Sequence, residues 1–145
     1  MKDNYLSTDV VIVGAGPAGS AAAIDLVRKG IKVILLDKAV FPRDKCCGDG
    51  LTTDALRILD ELGLSPESIT NWNAVTDAVI YSPKGRKATL PLPSGKGQFA
   101  AIAPRVELDY QLVNLAVDEG AELLSPFSFS DLEQFEDHLK ILTTN

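Results

Sequence analysis

Residues 9–37 constrain the fold more than any other stretch. They read DVVIVGAGPAGSAAAIDLVRKGIKVILLD. A β-branched run, Val10 to Val13, reads as a strand buried on both faces of a parallel sheet. It stops at Gly14-Ala15-Gly16-Pro17-Ala18-Gly19. Gly14 allows a sharp turn, Gly16 lets a ligand approach the backbone, and Gly19 lets the following helix pack closely on the sheet. Pro17 suits the first turn of that helix, where its missing N–H would have had no partner. Ala21, Ala22 and Ala23 extend the small surface, and Gly30 ends the helix as a C′ residue. Ile31 to Leu36 forms a second strand, followed by Asp37.

This order of parts binds the ADP half of a dinucleotide. Free N–H groups and the helix dipole favour an anion at the glycine turn. An acid at the end of the second strand accepts hydrogen bonds from ribose hydroxyls and disfavours a 2′-phosphate, which argues against NADP. A glycine motif alone is weak; here a strand, a helix, a second strand and the terminal acid accompany it. The competing reading is a βαβ unit whose glycines serve only turn and packing.

The rest of the chain narrows the setting. Its 145 residues suffice for one domain with a core, and 46% hydrophobic with 23% charged residues is ordinary for a globular chain. A net charge of −6 offers no basic surface for nucleic acid. No apolar run approaches the ~20 residues of a membrane span, and the amino terminus lacks the apolar core of a signal peptide, so a cytoplasmic location is expected. Cys46 and Cys47 are neighbours, which suggests neither a disulfide framework nor a metal site.

Further elements follow from periodicity. Thr52 or Thr53 caps a helix running to about Leu62, with Ala55, Ile58, Leu59 and Leu62 on one face and Gly63 as its stop. Ala74 to Ser82 reads as a strand turning at Pro83–Arg86 into Lys87 to Leu90, and Phe99 to Ala103 as another. A helix spans Val106 to Glu119 with Val106, Tyr110, Val113 and Val117 sharing a face; Ala121 to Leu124 returns to the first sheet. Phe127 to Phe135 and His138 to Thr143 form a hairpin. The interleaving makes the fold α/β, a Rossmann-like βαβ unit with a parallel sheet plus an antiparallel β segment.

Two more segments carry a resemblance. Phe41-Pro42-Arg43-Asp44-Lys45-Cys46-Cys47-Gly48-Asp49-Gly50-Leu51 matches the pattern F-P-R-x-K-x-C-G-D/G-G, with Cys47 on the cysteine and Cys46 in the variable position. Pro104-Arg105-Val106-Glu107-Leu108-Asp109 matches P-R-x-x-L/F-D. With the opening unit, these resemble the geranylgeranyl reductase family of flavoproteins, in the para-hydroxybenzoate hydroxylase fold group. The resemblance covers about residues 8 to 125 and is more specific for the fold group than for the substrate.

It implies FAD as cofactor and reduction of carbon–carbon double bonds in isoprenoid chains by hydride from reduced flavin, on a prenyl-lipid substrate and with peripheral membrane association. It implies cofactor contacts from Gly14, Gly16, Pro17, Ala18, Gly19, Asp37, Lys38, Arg43, Gly48, Gly50 and Arg105. Arg43 offers a planar fork to phosphate, or is a solvated loop residue. Arg105 lies beside the cofactor, or pairs at the surface with Glu107 or Asp109. Cys47 is the candidate catalytic residue, shaping the pocket or delivering a proton, or is a small inert residue. Gly48 and Gly50 are expected to serve backbone geometry, and Asp49 to cap or turn the loop. His138 reads as an exposed strand residue, the acids from Asp131 to Asp137 as a solvated edge, and Trp72 and the phenylalanines as packing. No metal site is expected.

The family also carries a downstream Gly-Asp segment and a substrate-binding sheet, and no Gly-Asp pair follows residue 49. The chain is therefore expected to be a truncated amino-terminal part, residues 1–145, of an FAD/NAD(P)-binding domain, with the substrate domain absent and a separate carboxy-terminal half as a candidate partner. It would keep the ADP-binding surface and lack a complete isoalloxazine pocket. A flavin-dependent aromatic hydroxylase fragment and a non-catalytic nucleotide-binding remnant are the alternatives.

Overall fold

The computed structural model describes residues 5–46, 48–93 and 99–144. Its elements run β1 (Val10–Val13), α1 (Pro17–Arg28), β2 (Val33–Leu36), β3 (Gly50–Thr52), α2 (Thr53–Leu62), β4 (Asn73–Ala74), β5 (Asp77–Tyr81), β6 (Lys87–Pro91), β7 (Ala100–Ile102), α3 (Arg105–Asp118), β8 (Glu122–Leu124), β9 (Ser128–Gln134) and β10 (Leu139–Thr144). The chain divides into two compact units, Met1–Asp44 with Asp109–Asn145, and Lys45–Leu108.

The first unit is built on a parallel sheet ordered β1-β2-β8. β2 lies in the middle, and its four side chains are all buried, as two neighbouring strands and a covering helix require. Burying each such aliphatic side chain stabilises the fold by about 1.5–3 kcal/mol. β1 departs from its expected burial: Val10 to Ile12 are only half-buried and Val13 is 56% exposed. Among the described residues it pairs with β2 alone, so it is an edge strand. α1 begins at Pro17, packs on the sheet through Ser20, Ala23 and Ile24, and turns out at Lys29 and Gly30, the latter at φ +81°. β9 and β10 form the expected antiparallel hairpin, with a register shift between Leu142 and Thr143.

α3 corrects one expectation. Its buried residues include Leu108, Asp109, Leu112, Val113 and Ala116, whereas Tyr110 and Val117 are 37% and 41% exposed. A charged residue lies on the core side, so the stripe of Val106, Tyr110, Val113 and Val117 is rotated away from the true one.

In the second unit, β7 pairs antiparallel with both β3 and β4, and β5 pairs with β6 as a separate hairpin. The run Ala74 to Ser82 is thus two strands in two sheets rather than one. β3 lies just past a stretch that lacks any period. α2 fits its reading: Thr52 Oγ1 accepts from the Ala55 N–H at 3.4 Å, and Gly63 closes the helix at φ +80°. Leu59 and Leu62 are buried, while Ile58 is 44% exposed.

Candidate functional site

The site is assembled where β1 and β2 end. Gly14 takes φ +106°, a left-handed value that side chains rarely adopt. Its N–H donates to the Leu36 carbonyl at 2.7 Å, so the turn remains tied to β2. Gly19 is glycine for packing: a Cβ there would lie 1.9 Å from the Gly14 carbonyl oxygen. Gly16 is the N-cap of α1 and supplies no side-chain cap. The N–H groups of Ala18 and Gly19 lie in the first helical turn, which provides no intrahelical acceptor for them.

Asp37 holds the loop as well as facing the cleft. Its Oδ2 accepts from the Ala15 N–H at 2.7 Å and its Oδ1 from the Ala39 N–H at 2.8 Å. Its own N–H donates to the Leu124 carbonyl, and its carbonyl accepts from the Phe127 N–H. The carboxylate is thereby fixed by the glycine turn and by the loop after β2, while the backbone of Asp37 is tied to Leu124 of β8 and to Phe127. Each oxygen retains a lone pair for a ribose hydroxyl.

A cleft of about 260 Å³ opens here, lined by Val13, Gly14, Leu36, Asp37, Lys38, Phe127, Ser128 and Phe129. Phe127 and Phe129, expected to serve in packing, both line this cleft. The usable signal was their place just beyond the carboxyl end of a parallel strand, where open α/β sheets bind ligands.

Arg43 completes the cluster. Its Nη1 lies 3.0 Å from Asp109 Oδ2, with the arginine side chain 16% exposed and the aspartate fully buried. Its guanidinium covers the Phe41 ring at 5.2 Å. Among the described residues, its Nη2 is the only atom that a Cβ on Gly16 would meet, at 3.6 Å. It is not a solvated loop residue. Asp109, its partner, was not singled out from the sequence except within a motif and as a surface ion-pair candidate for Arg105.

The other candidates lie in the second unit. Gly48 and Gly50 neither take a left-handed φ nor have an atom within 4 Å of where a Cβ would stand. Among the described residues, neither position is closed to a side chain. Asp49 does cap. Its Oδ1 accepts from the Arg105 N–H at 3.3 Å and its carbonyl from the Ala103 N–H, fixing the start of α3. Arg105 is buried, and Glu107 bonds to Asn71 through both its oxygens. Cys47 lies outside the described residues; Cys46 is a free, exposed thiol. His138 is exposed just before β10, stacks on Phe135 and bonds to Asp137. No group of acids, histidines and cysteines among the described residues can hold a metal, and none of their helices is long and apolar enough to cross a membrane.

The first unit's residues fit a dinucleotide. Among the described residues the middle glycine faces a guanidinium, the helix start has no side-chain cap, and an anchored carboxylate lines an adjoining cleft. Comparison with known proteins agrees. A family model described as FAD binding domain matches residues 7–140. A menaquinone reductase of Mycolicibacterium smegmatis is 42% identical over 117 residues, which are 80% of this chain and 28% of that protein. A geranylgeranyl diphosphate reductase of Rhodobacter capsulatus is 37% identical over 117 residues, 81% of this chain and 27% of its own length. A solved geranylgeranyl bacteriochlorophyll reductase-like protein of Thermoplasma acidophilum superposes with a TM-score of 0.75 over 94% of this chain and 34% of that one. At 24% identity it establishes the fold. The chain spans less than a third of the length of these two sequence relatives.

Proposed function

We propose, given that the chain belongs to the FAD-binding domain family, that it is the FAD-binding portion of a reductase acting on isoprenoid chains. FAD is the cofactor of the family. The carrying observation is the convergence of Gly16, Asp37 and Arg43 on the carboxyl ends of β1 and β2. There the start of α1 and Arg43 would take the pyrophosphate, and Asp37 with Lys38 the ribose side. Bound flavin supplies a hydride carrier, which the protein has only to hold and orient.

The isoprenoid reading draws its support from two sources. One is the Phe41–Leu51 segment and its resemblance. The other is the names of the relatives, menaquinone reductase and geranylgeranyl diphosphate reductase, since a menaquinone tail and a geranylgeranyl group are both polyprenyl chains. The roles implied for Gly48, Gly50, Arg105 and Cys47 rest on sequence alone. A cytoplasmic location, with the substrate met at a membrane surface, belongs to the same proposal.

Two measurements separate the parts. Purified chain mixed with FAD is expected to come off a desalting column yellow and to release the flavin to excess ADP. A colourless chain, or one indifferent to ADP, overturns the cofactor site. Disrupting the reading frame in its host should leave polyprenyl compounds heavier in double bonds, each lighter by the mass of two hydrogens. Unchanged saturation overturns the isoprenoid reading and leaves FAD binding standing.

A further inference from the structure

Arg43 and Asp109 stand 66 positions apart in sequence, yet form the most buried ion pair described in the first unit. Surface pairs contribute little, but a buried carboxylate that loses its cation is costly. The geometry of this pair is also specific. Asp109 occupies the second turn of α3, a rigid element, and its Oδ2 lies 3.0 Å from Nη1 of the guanidinium. The Phe41 ring supports the guanidinium from one side. The other arm, Nη2, is left beside Gly16, the N-cap of α1. Among the described residues no acceptor is aligned with the buried Nη1, even though the Asp109 oxygen is 3.0 Å away. The contact is one of charge more than of a well-aligned hydrogen bond. It fixes where the arginine stands.

We propose that Asp109 is a positioning residue for the dinucleotide site: it anchors Arg43 so that the Nη2 arm of the guanidinium meets a pyrophosphate at the start of α1. The proposal rests on the FAD reading and adds to it a residue that touches no ligand. A planar fork presents two donors in a fixed relation, so orientation decides its worth to a phosphate. An unanchored arginine on a loop would lose that orientation to rotamer freedom.

The test compares ADP with adenosine, which lacks the pyrophosphate, by titration calorimetry on the full chain. Arg43→Gln should weaken ADP about tenfold to a hundredfold and leave adenosine unchanged. Asp109→Ala should weaken ADP about tenfold, again sparing adenosine, and should add no further loss in the Arg43→Gln background. Asp109→Asn keeps the shape and one acceptor oxygen, so its loss should fall between Asp109→Ala and the unaltered chain. It also serves if Asp109→Ala does not fold. ADP binding as tight as in the unaltered chain, in either folded Asp109 variant, overturns the proposal. So does equal loss of ADP and adenosine, or an Asp109 effect that persists without Arg43. If the unaltered chain binds no ADP, the FAD reading fails instead.

Discussion

At the level of single residues, the glycines of this chain divide into those that the fold requires and those that it does not. Gly19 has the Gly14 carbonyl oxygen where a Cβ would stand, at 1.9 Å. Gly19→Ala must push α1 off the sheet and should cost about 3 kcal/mol or more, as overpacking of a close helix contact does. Gly50 is the opposite case, with ordinary φ and open space. Gly50→Ala should leave the unliganded chain as stable or stabilise it by up to about 1 kcal/mol, by restricting the unfolded state. Urea unfolding of the two variants without nucleotide checks the contrast. Asp37 makes a similar distinction. Were it only a ribose ligand, removing it would spare the unliganded fold. Because it accepts from the N–H groups of both Ala15 and Ala39, Asp37→Ala should cost about 2–3 kcal/mol even with no ligand present, the scale of hydrogen bonds to a charged acceptor. An unfolding midpoint equal to that of the unaltered chain would mean that these two bonds do not hold the unliganded fold. The sequence made Gly19 and Asp37 legible because their spacing within one βαβ unit is local. The partnership of Arg43 with Asp109 was not legible, since no local pattern links two residues so far apart.

At the level of elements, the same buried aspartate explains where periodicity misleads. A helix face is read by assigning charges to solvent. In α3 the fully buried Asp109 lies among Leu112, Val113 and Ala116, so that rule rotates the stripe toward Tyr110 and Val117. The buried residues described in α1, α2 and β2 include no charge, and apart from the exposed Ile58 their faces follow the periodicity. β3 escaped notice because three residues are too few for a period, and its pairing with β7 joins positions 50 and 102. The far ends of α1 and α3 carry a testable link. Arg28, in the last turn of α1, donates through Nη2 and Nε to Glu119 Oε1 at 2.6 and 3.2 Å. Bonding to Arg28 holds the Glu119 carboxyl below its ordinary value of 4.5. A depressed carboxylate contributes stability that is present above the unfolded value and lost as pH falls through the folded one. The unaltered chain should therefore exceed Glu119→Gln in urea midpoint at neutral pH, and the difference should shrink as pH drops below 4.5. A difference that stays constant through that window would mean that Glu119 contributes shape rather than charge. The pair is exposed, so added salt should diminish the same difference.

At the level of the whole molecule, the chain leaves the first unit after Asp44 and returns to it at Asp109. Arg43 and Asp109 are thus the first unit's residues beside these two crossings, and their ion pair joins them. No change in composition marks either crossing, which is why the second unit could not be delimited from sequence. The charge balance has a kinetic consequence. With 14 basic and 20 acidic residues, the net charge is −6. FAD carries two negative charges on its pyrophosphate. The local features proposed to receive it act at short range: the start of α1, whose dipole effect fades within a turn, and an arginine whose charge Asp109 counters at 3.0 Å. At long range the molecule repels its own cofactor. Screening over a Debye length of about 8 Å at ~0.15 M salt removes that repulsion first and the short contacts last. The association rate of FAD, followed by stopped-flow flavin fluorescence, should therefore rise about twofold or more from low salt to ~0.15 M. The dissociation rate should rise less over the same range. An association rate that falls with salt would mean that an attractive field around Arg43 and Lys38 outweighs the net charge. In that case Asp109→Asn should steepen the fall, because it unmasks the arginine.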